Sequence, residues 1–233
     1  MAINYGTSNT WIDSSKQNSR AGLLAPSLDF AVDFNRILSF SGTTLNDLQG
    51  SRVGTLINGP VFVSSDRIKY LSFDGSNDYI AHTDFTLPTA CSVYFSIRTT
   101  SAAQMGLFSH WSGGPVNVGY GLNGGKLYYL QYDGEWTYYT STGASVNTGN
   151  WVHLAFIRTS STNMVMYVNG LQDYVLNVSS PRYIAGGNMG SIGVFWGWGY
   201  YQGDFGAMQV YNTAHSATEV NLQYQTAHKK RYG

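Results

Sequence analysis

The chain has 233 residues, of which 43% are hydrophobic and 11% are charged, and its 13 basic residues balance 13 acidic ones. This composition is too apolar for a disordered chain, the balanced charge gives no global field that attracts nucleic acid, and no apolar run approaches the length that spans a bilayer. We therefore expect one large folded unit that neither binds nucleic acid nor inserts into a membrane.

The first segment, residues 1–26, is rich in asparagine, serine and threonine. This composition is typical of an arm on a surface rather than of a core element. Its scattered apolar residues are predicted to attach the chain to a partner: Ile3, Tyr5, Trp11 and Ile12. Because no positive cluster precedes an apolar stretch here, we expect no secretory signal.

Short segments in which apolar and polar residues alternate begin at Leu28 and recur along the chain, as in KYLSFDG, CSVYFSIRT and KLYYLQYDG. Alternation with a period of two predicts about a dozen strands. Between them lie residue pairs that supply the positive φ of tight hairpins. These turns are Asp74-Gly75, Asn123-Gly124-Gly125, Asp133-Gly134 and Asn169-Gly170. Antiparallel sheets are the expected result.

The segment WVHLAFIR, residues 151–158, alternates two sets of side chains that are both mostly apolar. This pattern predicts a central strand that is covered on both faces. His153 is then expected to be a buried, hydrogen-bonded residue, with a catalytic or metal-binding role as the alternative. Cys91 has no second cysteine to pair with and is expected to be a small buried hydrophobe.

One segment predicts a helix near the C-terminus. Ser216 and Glu219 have the spacing of a capping box, in which each side chain bonds a backbone amide of the other residue. The basic residues that follow, within 227–233, are predicted to form a solvated tail. A tail that docks on a partner is the alternative.

Three segments, taken in order, resemble a known family: KYLSFDGSNDYIAH, GNWVHLAFIRTSSTNMVMYVNG and QGDFGAMQVYNTAHSATEVNLQYQ. They are similar to the laminin-G-like domains of the concanavalin A-like lectin/glucanase superfamily, over roughly residues 28–225. The resemblance implies an all-β fold, a two-sheet antiparallel jelly-roll sandwich over 27–226. One short C-terminal helix belongs to this sandwich, which the arm 1–26 precedes and the tail 227–233 follows.

The resemblance also implies that calcium binding has to be considered, because it occurs in some relatives. Asp74 and Asp78 flank a tight turn, and their carboxylates are expected to bond nearby backbone amides. Calcium at this corner is the alternative, although the oxygen-rich spacing of a dedicated calcium loop is missing. No other metal or cofactor is expected.

The superfamily includes glucan hydrolases, which need two carboxyl groups and carry them in a tight Glu-x-Asp-x-x-Glu cluster. The chain has only two glutamates, Glu135 and Glu219, and neither lies in such a cluster. The motifs of serine hydrolases, phosphate loops and zinc proteases are also missing. We therefore expect no enzymatic activity, with a carboxylate pair built from aspartates that are distant in sequence as the alternative.

Residues 195–205, FWGWGYYQGDF, combine aromatic side chains with glycines. In a strand, Trp196, Trp198 and Tyr200 would share one face, which favours a rim where sugar rings or protein side chains stack. The alternative is that the glycines let a neighbouring backbone or the arm pack closely. Further candidates for glycan or partner contact are Tyr201, Trp111, Trp136 and Tyr138.

The residues before FDGSNDYI resemble the lead-in of jelly-roll modules in bacteriophage virion proteins: RILSFSGTTLNDLQGSRVGTLINGPVFVSS. This resemblance implies a non-enzymatic structural or adhesive component of a virion, such as a capsid decoration, head fibre or tail-associated protein. Its expected partners are capsid or tail proteins, further copies of itself and, at the aromatic rim, a cell-surface glycan. It would be made in the host cytoplasm and displayed on the virion surface. A free-standing lectin or carbohydrate-binding module is the alternative.

Overall fold

The computed structural model describes residues 27–35, 40–50, 52–65, 68–110, 117–132, 135–177, 188–195 and 198–233. The predicted arm 1–26, with Ile3, Tyr5, Trp11 and Ile12, lies outside these residues, as does the predicted turn Asp133-Gly134.

The described residues form nineteen strands. In chain order they are β1 (Leu28–Asp33), β2 (Phe40–Ser41), β3 (Thr44–Asn46), β4 (Val53–Ile57), β5 (Val61–Ser64), β6 (Lys69–Asp74), β7 (Tyr79–Thr86), β8 (Cys91–Arg98), β9 (Met105–His110), β10 (Asn117–Asn123), β11 (Lys126–Tyr132), β12 (Trp136–Thr140), β13 (Val152–Arg158), β14 (Asn163–Val168), β15 (Leu171–Asn177), β16 (Asn188–Ile192), β17 (Val194–Phe195), β18 (Trp198–Tyr200) and β19 (Gln202–Tyr211).

These strands build two large antiparallel sheets and one small hairpin. Sheet A has the spatial order β15-β14-β13-β8-β19-β6-β5, with β1 also paired to β19. Sheet B has the order β12-β11-β10-β9-β16-β7-β4-β3-β2, and β17 pairs with β18 alone. The predicted two-sheet antiparallel sandwich is confirmed.

The core lies between the inner faces of the two sheets. Sheet A contributes Phe95 and Phe156, and sheet B contributes Phe108 and Tyr120. The rings of Tyr120 and Phe156 meet across the interface at 5.2 Å between centroids, in an edge-to-face arrangement. Cys91 is fully buried in this core, and its burial raises the pKa of the thiol to about 11, so it behaves as the predicted small hydrophobe.

The tight turns agree with their sequence signals. Gly124 and Gly125 join β10 to β11, and Asn169 and Gly170 join β14 to β15, in two-residue loops. All four residues have positive φ, which a two-residue hairpin turn with the right-handed twist of the strands requires. The predicted hairpins at these two places are confirmed.

Strand β13 is buried along its whole length, as predicted. Leu154 and Phe156 point into the sandwich core, whereas Ala155 and Ile157 belong to a second apolar cluster on the outer face of sheet A. Val220 of the C-terminal helix packs against this second cluster. Both faces of the strand are therefore covered by protein.

The helix has an α-helical segment α1 (Ala217–Gln223), a π-helical segment (Tyr224–Lys229) and a final turn α2 (Lys230–Tyr232). The predicted capping box is present, with the Ser216 amide donating to Glu219 Oε2 at 2.7 Å and the Glu219 amide donating to Ser216 Oγ at 3.3 Å. In the described part of the chain, every helix falls short of the length and apolar character needed to span a bilayer.

The solvated basic tail predicted over 227–233 is wrong for most of these residues. His228 is buried, Arg231 Nη1 lies 2.5 Å from Asp33 Oδ2, and the Tyr232 hydroxyl accepts a hydrogen bond from Asn35 at 3.0 Å. Only Lys229, Lys230 and Gly233 are exposed. The segment is helical because long-range partners on β1 and on the residues after it hold its last turn.

Two substitutions on α1 test whether packing on sheet A holds the helix. Val220→Ala, at a fully buried site, is expected to lower the free energy of unfolding by about 2 kcal/mol, because methyl groups are lost and a cavity remains. Leu222→Ala, where the side chain is 45% exposed, is the matched control and should change it by less than about 0.5 kcal/mol. Urea denaturation measures both values. Equal effects of the two substitutions would contradict the docking.

Candidate ligand-binding surface

The hairpin of β11 and β12 carries four aromatic side chains that form an aromatic strip: Tyr128, Tyr132, Trp136 and Tyr138. Alternation along each strand sends their neighbours Tyr129 and Tyr139 toward the sandwich core. Because successive side chains of a strand point to opposite faces, the strip lies on the outer face of sheet B.

The strip is a chain of ring contacts. The Tyr132 and Trp136 rings lie 5.0 Å apart, Trp136 and Tyr138 lie 6.1 Å apart, and Tyr138 lies 6.2 Å from Tyr128. The Trp136 and Tyr138 planes differ by only 11°. These two side chains are 36% and 51% exposed, so they present two nearly parallel rings to solvent on an edge strand.

The strip rests against the short hairpin β17–β18. Phe195 of β17 is 2% exposed and contacts the Tyr128 ring edge-on at 5.8 Å. The Phe195 ring lies over Gly119 and Gly121 of β10, where a Cβ atom would collide with it. The backbone of β17 crosses β9 at Gly106, where a Cβ atom would collide with the backbone of Val194 and Phe195. These three glycines therefore form the surface on which the hairpin packs, which we call its seat.

The base of the strip is buried and does not ionise near neutral pH. Tyr128 is 3% exposed, and burial raises the pKa of its hydroxyl to about 12. The nearby Tyr138 raises this pKa further, whereas a hydrogen bond with the Gln104 side chain opposes the shift. The Tyr128 hydroxyl therefore stays protonated and able to donate a hydrogen bond across the physiological pH range.

The structure brings some of the predicted contact residues together. Trp136 and Tyr138 lie side by side on the strip. The half-buried Tyr200 is in β18, where it pairs with Val194 of β17. Trp198 is the first residue of β18 and pairs with Phe195. Trp196 and Trp111 lie outside the described residues, and so does the side chain of Trp198.

Two details of the aromatic stretch differ from the sequence prediction. The described part of the stretch is divided between two strands, because β17 ends at Phe195 and the antiparallel β18 carries Trp198 and Tyr200. Tyr201 is not a contact residue, since it is fully buried. Its hydroxyl lies 3.1 Å from the carbonyl oxygens of Arg98 and Asp204, which accounts for a polar group inside the core.

Sequence reasoning missed Tyr128, Tyr132 and Phe195. The first two could have been found from the hairpin register, which places Tyr132 directly opposite Trp136 and Tyr128 diagonally across from Tyr138. Phe195 gave no such signal, because its place depends on glycines that lie more than seventy residues away in the chain.

The corner between β6 and β7 shows turn chemistry. Asp74 Oδ1 accepts from the Ser76 amide at 2.7 Å, and Asp78 Oδ2 accepts from the Asp74 amide at 3.1 Å. Burial raises the pKa of Asp78. The hydrogen bond from the Asp74 backbone amide opposes this shift, and the negative charge of the Asp74 side chain adds to it. Within the described ranges, no group of three His, Cys, Asp or Glu side chains is placed to hold a metal ion.

The two glutamates of the chain lie in different structural settings. Glu219 is committed to the capping box, and its hydrogen bonds to Ser216 lower the pKa of the carboxyl group. An ionised, cap-bound carboxylate is unsuited to act as a general acid. Glu135 immediately precedes β12.

A family model described as the concanavalin A-like lectin/glucanases superfamily matches residues 74–221. A solved structure of domain 4 of AbnA, a GH43 extracellular arabinanase from Geobacillus stearothermophilus, in complex with arabinotriose, is similar with a TM-score of 0.67 and 18% identity. That match covers 85% of this chain and 98% of the other. A comparison with curated proteins finds no match.

Toxin domains share the same fold. The receptor binding domain of botulinum neurotoxin D is similar with a TM-score of 0.65 and 12% identity, and the binding domain of Paraclostridial Mosquitocidal Protein 1 with 0.64 and 14%. Each match covers 85% of this chain and 52% of the toxin chain, so this chain spans about half of their length. At these identities the likeness shows the fold.

The seat of the hairpin can be tested at Gly119. Gly119→Ala is expected to lower the free energy of unfolding by about 1–3 kcal/mol, because the new methyl group meets the Phe195 ring. In a Phe195→Ala background the same substitution should cost less than about 0.5 kcal/mol, since the obstructing ring is gone. Denaturant unfolding of the four proteins measures this coupling. The same cost in both backgrounds would show that Phe195 does not lie over Gly119.

Proposed function

The chain belongs to the concanavalin A-like lectin/glucanases superfamily, and from this premise we propose that it is a non-enzymatic glycan-binding domain whose aromatic strip stacks on sugar rings. The observation that carries the proposal is the exposure of Trp136 and Tyr138 as nearly parallel rings on a rigid base.

A sugar ring presents both apolar C–H groups and polar hydroxyl groups to a protein surface. The C–H groups of a pyranose or furanose pack on an aromatic face, and its hydroxyl groups meet the polar edges of tryptophan and tyrosine. Because Tyr128 and Phe195 hold the strip from below, little side-chain entropy remains to be lost when a ligand binds. A row of rings therefore suits a chain of sugar units better than a single one.

The solved structures support the same proposal. The arabinanase domain was determined in complex with arabinotriose, and two of the toxin structures are described as receptor-binding or binding domains. A binding function on this fold is thus known in proteins that share its architecture.

The absence of a glucanase motif and the state of Glu219 support a non-enzymatic role. The finer proposal, which rests on the resemblance of residues 36–65 to virion modules, is that the chain is an adhesive component of a bacteriophage particle, displayed on its surface. Its partners there would be capsid or tail proteins and further copies of itself. A free-standing lectin remains the second candidate, and imaging of the assembled particle separates the two.

Affinity for oligosaccharides tests the strip directly. Trp136→Ala and Tyr138→Ala are each expected to weaken binding of a glycan-array ligand, or of arabinotriose, by about 30-fold, because a stacking ring at a binding hot spot contributes about 2 kcal/mol. Phe62→Ala is the matched control, since Phe62 is 37% exposed but lies on β5 of sheet A. It should leave the affinity unchanged.

Isothermal titration calorimetry of the three variants gives the affinities, and circular dichroism checks that each variant is folded. Unchanged affinity in both Trp136→Ala and Tyr138→Ala would contradict the site, and turnover of a polysaccharide by the purified chain would contradict the non-enzymatic role.

A further inference from the structure

Three of the five histidines of the chain are buried beneath the C-terminal helix, on the outer face of sheet A. His153 comes from β13, His215 immediately precedes the capping residue of α1, and His228 is in the π-helical segment. Their exposures are 3%, 5% and 2%. No step of the proposed glycan binding uses these residues, because the strip lies on the other sheet.

The three histidine rings are linked, two of them through a tyrosine and the third by direct contact. Tyr94 stacks on His153 at 5.4 Å with planes 22° apart, and its hydroxyl lies 2.7 Å from His215 Nδ1. His153 in turn lies 5.4 Å from His228. His228 Nδ1 is 3.0 Å from Ser96 Oγ, whereas His153 Nδ1 has no hydrogen-bond partner among the described residues. The cluster is therefore compact, buried and incompletely bonded.

The helix fits closely onto this cluster. A Cβ on Gly170 would press on Tyr224, and a Cβ on Gly206 would collide with the Tyr232 hydroxyl. Tyr224 packs over His153 at 6.0 Å, and Tyr232 packs on Trp151 at 4.5 Å. A displacement of the helix would open the contacts that His153 makes with Tyr224 and His228.

Charged and titratable groups approach the cluster from each element packed against it. Glu219 and Arg231 come from the helix, and Asp33 of β1 pairs with Arg231. The Arg98–Asp204 ion pair lies beyond Trp151, on β8 and β19. The tyrosines that surround the cluster are Tyr94, Tyr167, Tyr211, Tyr224 and Tyr232. Of these groups only Glu219 is placed to favour a protonated histidine, and it acts on His215 alone.

We propose that the C-terminal helix is an acid-released cover, in which protonation of His153 and His228 drives residues 217–232 off the outer face of sheet A. Two cations at a ring separation of 5.4 Å in a buried interface repel each other and lose their hydration. Release exposes the apolar cluster below the helix, which includes Ala155, Ile157 and Tyr211. The domain would then present a second surface that is closed at neutral pH.

The direction of the pH dependence follows from the titration of the docked cluster. Burial lowers the pKa of His153 well below its ordinary value, and His228 lowers it further. Burial lowers the pKa of His228 to about 4, the hydrogen bond with the Trp151 backbone opposes this shift, and Arg231 adds to it. Burial also lowers the pKa of His215, against the opposing charge of Glu219.

Once the helix is released, His153 and His228 are exposed to water and each returns to a pKa of about 6.5. Below about pH 6.5 the released state therefore binds more protons than the docked state. Above this pH the free energy that holds the helix on sheet A is fully present. As the pH falls from about 6.5 toward 4, the released population rises by up to about tenfold per pH unit for each of these two histidines.

Hydrogen exchange of the full chain, corrected for the intrinsic pH dependence of amide exchange, tests the release. At about pH 5 the amides of residues 217–232 are expected to lose at least tenfold in protection relative to about pH 7.5. The amides of strands β10 and β11 should stay protected at both pH values. The double variant His153→Gln with His228→Gln should abolish this pH dependence.

Tyr232→Phe is the matched control, because it removes the bond to Asn35 without removing a group that titrates in this range. It should lower helix protection by the same factor at both pH values. Retained helix protection at about pH 5, or simultaneous loss of protection in β10 and β11, would overturn the proposal. If the double variant fails to fold, NMR titration of the wild-type histidines decides: values near 6.5 with the helix still docked would overturn it equally.

Discussion

The outer face of sheet B is organised by the lack of side chains at three positions. Gly106, Gly119 and Gly121 leave a shallow seat on β9 and β10, and the β17–β18 hairpin lies in it with the Phe195 ring pressed onto the sheet. Phe195 then supports Tyr128, which in turn supports the exposed rings of the strip. A methyl group at any of these glycines would displace the support, so the position of the aromatic strip depends on close contact that only glycine permits.

The two outer faces of the sandwich are covered differently. On sheet B the hairpin covers the middle of the face and leaves the edge hairpin β11–β12 open to solvent. On sheet A the C-terminal helix covers the apolar cluster around β13. Sheet B thus keeps an exposed aromatic edge, whereas the outer face of sheet A is closed by an interface that contains buried histidines.

Local signals in the sequence predicted local structure well. The Asn169-Gly170 turn and the capping box of Ser216 and Glu219 depend on the φ angle or hydrogen bonds of a few adjacent residues, and both are confirmed. Features set by distant contacts were not predictable in this way. A basic composition gave no sign that Arg231 pairs with Asp33, which lies 198 positions earlier, and period-two alternation did not show that Tyr201 faces the core.

The claim that the aromatic strip binds saccharides is tested most directly by titrating the isotope-labelled protein with arabinotriose and with longer oligosaccharides from an array. Saturable shifts of the Trp136 indole N–H and of the β12 amides, with no change in β5, are the result expected from the geometry of the strip. Saturable binding that shifts signals of sheet A and leaves Trp136 and Tyr138 unchanged would contradict it.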